Sequence, residues 1–342
     1  MGKTFDEIIK EINAGLTGDY KTDLKYLEEK SREYKDHEMG KEIVRVCGRI
    51  MYDIMPEDIR ADLCKAMEQD KKSERAVIDE IRSHIDKKEY DQALKMLEEY
   101  EKEIAGIDFY EDDKVSDYFQ FDEFMQEIIY RYRNKSTKAI REAKGIPYCE
   151  VYLIYGSLLV ELKRLEEART MLKKGLRWNP LNFDMTMEYI ETFKMEGDMD
   201  KAFELTVEAF KIAIHSAQIG RCYRNLGYIF AEKKLYSEAV ACYIMGDQFD
   251  KNAEQTQAEL EYIRQMSGQT FNPSMQDLEA YSKKYGFPIG ADNDIVGLAY
   301  DYGKHFLDAK EYEGAKYCLG IAYKLTEDEG IKELLATIPC AE

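Results

Sequence analysis

Apolar residues recur three and four positions apart along nearly the whole chain, and the alternation typical of strands is nearly absent. Gly or Pro interrupts this pattern at intervals, and the six prolines fall at the ends of the apolar segments. The pattern therefore predicts an all-α protein built from short amphipathic helices.

The clearest unit lies at 223–246, where two helical segments are joined by the polar turn AEKKL. Each segment carries aromatic residues beside a small residue on one face, Gly227 in the first and Ala239 in the second. A small residue at a helix crossing lets the two backbones approach while larger neighbours fill the space on either side. We therefore predict that Gly227 and Ala239 are contact points of a helical hairpin.

The same arrangement recurs along the chain at near-regular intervals. Similar segments surround Ala168, Ala202 and Ala315, and a fainter copy surrounds Ala93. Recurrence at a fixed period predicts stacked helical pairs, each of which buries its apolar face against its neighbours.

These units resemble the tetratricopeptide repeat, whose pattern is an aromatic residue, Leu–Gly, a second aromatic residue, Ala and Pro. The best copy is 149–182, and further copies lie at 183–216, 220–253 and 296–329. The resemblance implies an α-α superhelix, a helical repeat array whose concave face binds extended peptides or helices.

The chain is accordingly divided into five predicted regions. They are an N-terminal helical capping region at 1–70, degenerate helical repeats at 71–148, three repeats at 149–253, a degenerate repeat at 254–295, and a final repeat with its cap at 296–342. The N-terminal part is expected to be helical but less regular.

Candidate partner-binding residues lie on the repeat faces turned away from the packing stripe. Arg221, Asn225 and Tyr228 follow one another at i, i+4 and i+7, nearly opposite the packing residues. The resemblance implies that Asn225 bonds a ligand backbone and that Arg221 holds a carboxylate. The full candidate set is Arg221, Arg224, Asn225, Tyr228, Glu188, Glu191, Ser157 and Lys304. Mutual neutralisation of Glu188 and Arg221 across adjacent repeats stays an open alternative.

No motif with a chemical mechanism emerges: phosphate-binding loops, metalloprotease spacing and nucleophile elbows are all missing. We therefore expect no catalytic residues, no metal site and no cofactor, and a protein that is not an enzyme. Asp292 and Asp294 are better explained as helix N-capping residues than as calcium ligands. The seven scattered cysteines predict reduced and mostly buried thiols.

The net charge of −19 repels phosphate backbones and acidic membrane surfaces, so neither nucleic acid nor a membrane is an expected partner. Cytoplasmic residence is the default expectation. An acidic block at 108–123 precedes a basic block at 131–144. The pair indicates either a solvated loop and helix end that partly neutralise each other, or a basic docking patch for an acidic partner.

The function that these observations favour is a non-enzymatic scaffold, which binds a peptide segment or partner protein on its concave face. The alternative is a regulatory or chaperone-like sensor whose ligand binding alters self-association. The partner's identity and the oligomeric state stay open.

Overall fold

The computed structural model describes residues 3–107, 110–250 and 253–339, apart from the side chains of 66–73, 253 and 254. Within these ranges the regular secondary structure is almost entirely helical, which confirms the predicted all-α class. The chain divides into two compact units. Unit 1 comprises the residues up to Gln120 together with 136–151, and unit 2 comprises 121–135 together with the residues from Tyr152 onward.

The described residues of unit 1 form five complete helices and two short strands. They are α1 (Phe5–Ala14), α2 (Tyr20–Glu33), α3 (Gly40–Asp53), α4 (Glu57–Asp86), α5 (Tyr90–Ala105), β1 (Ser116–Phe119) and β2 (Ala139–Glu142). Buried Ile8, Ile12, Leu27, Ile43 and Cys47 form one core cluster of this unit. The faint repeat around Ala93 is a real pairing, since α4 packs on α5 and Ala93 is fully buried.

The strands β1 and β2 were not predicted. They pair in parallel, with Ser116 opposite Ala139 and Phe119 opposite Glu142. The expectation of a solvated loop is wrong for 116–119, because Ser116, Tyr118 and Phe119 are buried. Four residues per strand are too few to show the alternation by which a strand is recognised in a sequence.

Unit 2 contains helical hairpins and one helix from the middle of the chain. The helices are α6 (Phe124–Asn134), α8 (Leu165–Trp178), α9 (Phe183–Glu196), α10 (Met199–Ala209), α11 (Ser216–Glu232), α12 (Tyr236–Phe249), α13 (Ala253–Ser267), α14 (Met275–Tyr285), α15 (Asn293–Asp308), α16 (Tyr312–Thr326) and α17 (Glu329–Ala336). Helix α7 (Tyr148–Glu161) begins in unit 1 and continues into unit 2.

Close approach of paired helices at small residues holds the hairpins of unit 2 together. A Cβ atom built on Gly227 would lie 2.9 Å from the ring of Tyr243 on the partner helix. A Cβ atom built on Gly156 would lie 2.4 Å from Leu172 of α8, and one built on Gly303 would lie 2.6 Å from Leu319 of α16. Ala239 is fully buried. The predicted role of Gly227 and Ala239 as contact points is confirmed.

Helix α6 is fixed in unit 2 by a polar network at its first turn. Glu123 accepts hydrogen bonds from His215 Nε2 at 2.6 Å and from the Tyr317 hydroxyl at 2.9 Å. Asn179 Nδ2 donates to Asp122 and to Gln126, at 2.9 and 3.0 Å. The bond with His215 holds the pKa of Glu123 below its usual range.

Glu123→Gln is expected to destabilise unit 2 by about 1–2 kcal/mol at pH 7, because a hydrogen-bonded carboxylate is replaced by a weaker acceptor. A carboxyl group whose pKa is lowered on folding contributes stability above its unfolded pKa, about 4.5. That contribution is lost as the pH falls through the folded pKa. Urea unfolding from pH 7 to pH 3 should therefore show the gap between wild type and variant closing below about pH 4.5.

The matched control is Glu313→Gln, which removes an 85% exposed carboxylate of α16. It should change the stability little at any pH. A gap that stays constant down to pH 3 would show that Glu123 does not act through its charge.

Candidate functional site

Helix α11 has one buried face and one accessible face. Cys222, Tyr223, Leu226 and Phe230 are at most 1% exposed and pack in the core. Arg221, Asn225 and Tyr228 are only partly buried, as expected for residues on the opposite side of the helix. Helix α9 carries the neighbouring row, and its start is fixed by Asn182, whose side chain accepts from Met185 N at 2.8 Å.

Arg221 is paired with two carboxylates of α9. Its Nη1 lies 3.1 Å from Asp184 Oδ1, and its Nη2 lies 3.8 Å from Glu188 Oε1. Burial raises the pKa of Glu188, and the adjacent Arg221 opposes that rise. The neutralisation of Glu188 by Arg221, left open by the sequence, is therefore present. Its contribution to stability is small because Arg221 is 40% exposed.

Lys194 of α9 connects the two helices and was not among the predicted residues. Its Nζ lies 2.6 Å from Glu191 Oε2, donates to Asn225 Oδ1 at 3.3 Å, and lies 4.5 Å from the centre of the Tyr228 ring. The signal in the sequence is the i, i+3 spacing of Glu191 and Lys194, which places opposite charges together on one helix face. Lys194 thus holds Asn225 and Tyr228 in place.

A cavity of about 320 Å³ lies between α11 and α13 beside Tyr228. Its lining residues are Tyr228, Ala231, Glu232, Ala258, Glu259 and Tyr262. Burial, followed by the nearby Glu232 carboxylate, raises the pKa of Tyr228. Tyr262 is 45% exposed, and Glu259 is held by the hydroxyl of Tyr243 at 3.1 Å. The volume is large enough for one large side chain.

These groups form one continuous surface across α9, α11 and α13, here called the first-helix surface. It consists of Asp184, Glu188, Glu191, Lys194, Arg221, Asn225, Tyr228, Glu232, Glu259 and Tyr262. Five carboxylates and two cations lie on it, and both cations already have carboxylate partners. The surface therefore has an excess of negative charge.

Three predicted residues lie apart from the first-helix surface. Arg224 is directed towards the seam with α12, where its Nη2 lies 2.7 Å from Asp250 Oδ2. Ser157 is half-buried on α7, and Lys304 is exposed on α15 with its Nζ 5.8 Å from the centre of the Tyr300 ring. Among the described residues, no hydrogen bond or ion pair joins Ser157 or Lys304 to that surface.

The structure also bears on the expectations for helix caps, cysteines, metal sites and membrane helices. Asp292 caps α15 by accepting from Ile295 N at 3.1 Å, which confirms the capping interpretation for Asp292, whereas Asp294 lies within the first turn and is not the cap. The six described cysteines are free thiols, and all but Cys64 are buried; Cys340 lies outside the described residues. In the described ranges, no group of three or more His, Cys, Asp or Glu side chains is placed to hold a metal ion. Nor does any described helix have the length and apolar character needed to cross a membrane.

Comparison with known proteins identifies one repeat directly. The family model described as tetratricopeptide repeat matches residues 150–180. A solved tetratricopeptide repeat protein from Parabacteroides merdae ATCC 43184 is 13% identical, with 98% of each chain covered and a TM-score of 0.25. No curated protein matches the chain.

The matched segment spans most of the hairpin formed by α7 and α8, where Gly156 meets Leu172. The α11–α12 and α15–α16 hairpins repeat that contact with Gly227 and Gly303. The chain therefore contains one tetratricopeptide repeat at 150–180, and further helical hairpins with the same glycine contact follow it.

Proposed function

We propose that this protein is a non-enzymatic interaction scaffold, and that unit 2 binds a positively charged peptide segment of a partner protein along the first-helix surface. The repeat fold suggests a protein–protein interaction role. The observation that carries the finer proposal is the row of carboxylates on α9, α11 and α13 beside the cavity between Tyr228 and Tyr262.

Charge decides which kind of peptide fits. Because Arg221 already lies against Asp184 and Glu188, a ligand carboxylate would have to displace both carboxylates to reach it. A Lys or Arg side chain, by contrast, meets two carboxylates, Glu232 and Glu259, and two tyrosine rings in the cavity lining. Electrostatic complementarity thus favours a basic segment over the ligand carboxylate that the resemblance implies for Arg221.

The peptide backbone also has a partner. Asn225 is held by Lys194 and lies beside Met187 Sδ, 3.4 Å from its Nδ2. A thioether sulfur is a weak acceptor, so a ligand carbonyl oxygen would be a better partner for that amide group. Asn225 therefore supplies a backbone contact, and the tyrosine cavity supplies the side-chain contact.

The test compares two fluorescent twelve-residue peptides, one with four lysines and one with four glutamates at the same positions. The lysine peptide should bind, and its affinity should fall with added salt. Tyr228→Ala combined with Tyr262→Ala should weaken it about tenfold, the scale of a lost cation–π pocket. Fluorescence anisotropy measures both effects.

The matched control is Glu204→Gln, which removes a 65% exposed carboxylate of α10 that is not part of the first-helix surface. It should leave binding unchanged. Equal affinity for the two peptides, or an unaffected double variant, would contradict the proposal. A change of molecular mass on binding, measured on the same samples, would support the regulatory alternative. The proposal places this activity in the cytoplasm, in keeping with the free thiols.

A further inference from the structure

Unit 1 contains a large cavity that is separate from the first-helix surface. Its volume is about 1190 Å³. Helix α3 forms one wall, and β2 with the residues that follow it forms another. Six cations and two carboxylates line it, in a protein whose net charge is −19. A basic cavity in so acidic a chain calls for a ligand of negative charge.

One face of α3 lines this cavity. Lys41, Arg45, Gly48 and Tyr52 follow one another at i, i+4, i+7 and i+11 and all line it, whereas Cys47 points into the core. A Cβ atom built on Gly48 would meet nothing within 4 Å. The glycine therefore leaves the wall open where a larger residue would fill the space.

Two of the arginines, Arg49 and Arg141, differ in their partners from Arg45 and Lys41. Arg45 forms a buried ion pair with Asp113 at 2.7 Å, and Lys41 is paired with Glu111. Arg141 Nε instead donates to the Ser116 hydroxyl at 2.9 Å, and Arg49 lies near Tyr118 in the cavity wall. In the described part of the chain, neither Arg49 nor Arg141 forms an ion pair with a carboxylate.

Arg49 and Arg141 also repel each other. Burial lowers the pKa of Arg49, and the neighbouring Arg141 charge lowers it further. An oxyanion between two guanidinium groups would relieve that repulsion and accept charge-assisted, bidentate hydrogen bonds from them.

Aromatic and aliphatic side chains complete the cavity. Tyr110 and Tyr118 lie with ring centres 5.7 Å apart, and Val44, Tyr52 and Ile140 add further apolar surface. A bare inorganic anion would leave these groups without contact. A ligand that carries both an anionic group and a ring uses the whole site.

We propose that this cavity binds a small organic anion, with its carboxylate or phosphate group between Arg49 and Arg141 and its ring against the exposed Tyr52 and Val44. The volume is close to that of small-molecule sites, which are about 300–1,000 Å³. A long polyanion is disfavoured, because the chain as a whole would repel it.

The experiment is isothermal titration of the full chain with phenyl phosphate, benzoate, inorganic phosphate and neutral benzamide. Phenyl phosphate or benzoate should bind at least tenfold more tightly than inorganic phosphate and benzamide. The better of the two anions identifies the acid group. Arg49→Gln and Arg141→Gln should each weaken it about tenfold, as expected for the loss of one charge-assisted contact.

The control Arg32→Gln removes a 79% exposed arginine of the same unit and should leave binding unchanged. Gly48→Leu serves as a second variant, since it keeps every charge but fills the open wall, and it should abolish binding. Each variant is first checked for a slow reaction of the buried Cys47 thiol with N-ethylmaleimide, which reports a folded unit 1.

Equal binding of benzamide and the two ring anions, or full binding by folded Gly48→Leu, would overturn the proposal. Tighter binding of a glutamate-rich peptide than of either ring anion would do so as well, and would indicate an acidic protein partner. None of these outcomes bears on the first-helix surface, which lies in the other unit and prefers the opposite charge.

Discussion

Gly303→Ala is expected to lower the free energy of unfolding by about 1–3 kcal/mol, the usual cost of forcing extra volume into a packed core. The new Cβ atom would lie 2.6 Å from Leu319 Cγ and 3.0 Å from the backbone nitrogen of Leu319. A backbone atom cannot yield as a side chain can, so α15 and α16 must move apart. Urea unfolding followed by circular dichroism and by the fluorescence of Trp178, the single tryptophan, measures the change.

The control lies on the same helix. Gly297 is exposed, and a Cβ atom there would meet nothing within 4 Å. Gly297→Ala should therefore raise the stability by about 0.5–1 kcal/mol through the better helix propensity of alanine. Both substitutions replace glycine with alanine, but their effects on the free energy of unfolding should have opposite signs. If both stabilise the protein, close approach at Gly303 is not what holds this hairpin together.

This contrast also shows which part of the fold was predictable from the sequence. Small residues at helix crossings leave a regular signal, because a hairpin that needs close approach tolerates only Gly or Ala at one point. Gly227 and Ala239 were predicted on that ground, and both lie at the seam between α11 and α12. Packing that repeats along the chain can therefore be predicted from a single sequence.

Unit 1 was less predictable for a physical reason. The strands β1 and β2 pair over only four residues each, and the residues that bury Ser116 and Tyr118 are distant in sequence. The same holds for the basic cavity, where Arg49 of α3 and Arg141 of β2 meet only in the folded chain. The basic block at 131–144 could be recognised in the sequence. That its residues divide between α6 and β2 could not be predicted.

The candidate partner surface was only partly predictable from the sequence. Helical periodicity placed Arg221, Asn225 and Tyr228 on one face, and the structure brings them beside Glu188 and Glu191. Periodicity could not show that Arg221 is paired with carboxylates, since that pairing depends on the angle between α9 and α11. It also missed Tyr262, because the α13 region departs from the repeat pattern.

A buried ion pair in unit 1 gives the other large effect. Asp113 Oδ2 accepts from Arg45 Nη1 at 2.7 Å, and the two side chains are 2% and 9% exposed. Asp113 Oδ1 also accepts from the backbone N–H groups of Val115 and Ser116, at 2.9 and 2.7 Å. The carboxylate therefore joins α3 to the segment that leads into β1.

Asp113→Ala is expected to destabilise unit 1 by about 3–5 kcal/mol, because it leaves the Arg45 charge buried without the Asp113 carboxylate. The readout is alkylation of the fully buried Cys47 by N-ethylmaleimide, followed by peptide mass spectrometry, with exposed Cys64 as the internal reference. A loss of 3 kcal/mol should speed the reaction of Cys47 roughly a hundredfold where local opening controls it.

Two further variants separate charge from packing. Asp117→Ala removes an aspartate four residues away, whose 2.9 Å pair with Lys138 is more exposed, and it should cost about 1 kcal/mol or less. Adding Arg45→Met to Asp113→Ala removes the stranded charge and should slow the alkylation of Cys47 again, because apolar replacement of a whole buried pair costs far less than breaking it. If the double variant reacts as fast as Asp113→Ala alone, the cost comes from the lost backbone hydrogen bonds of Val115 and Ser116, and the buried charge of Arg45 is not its source.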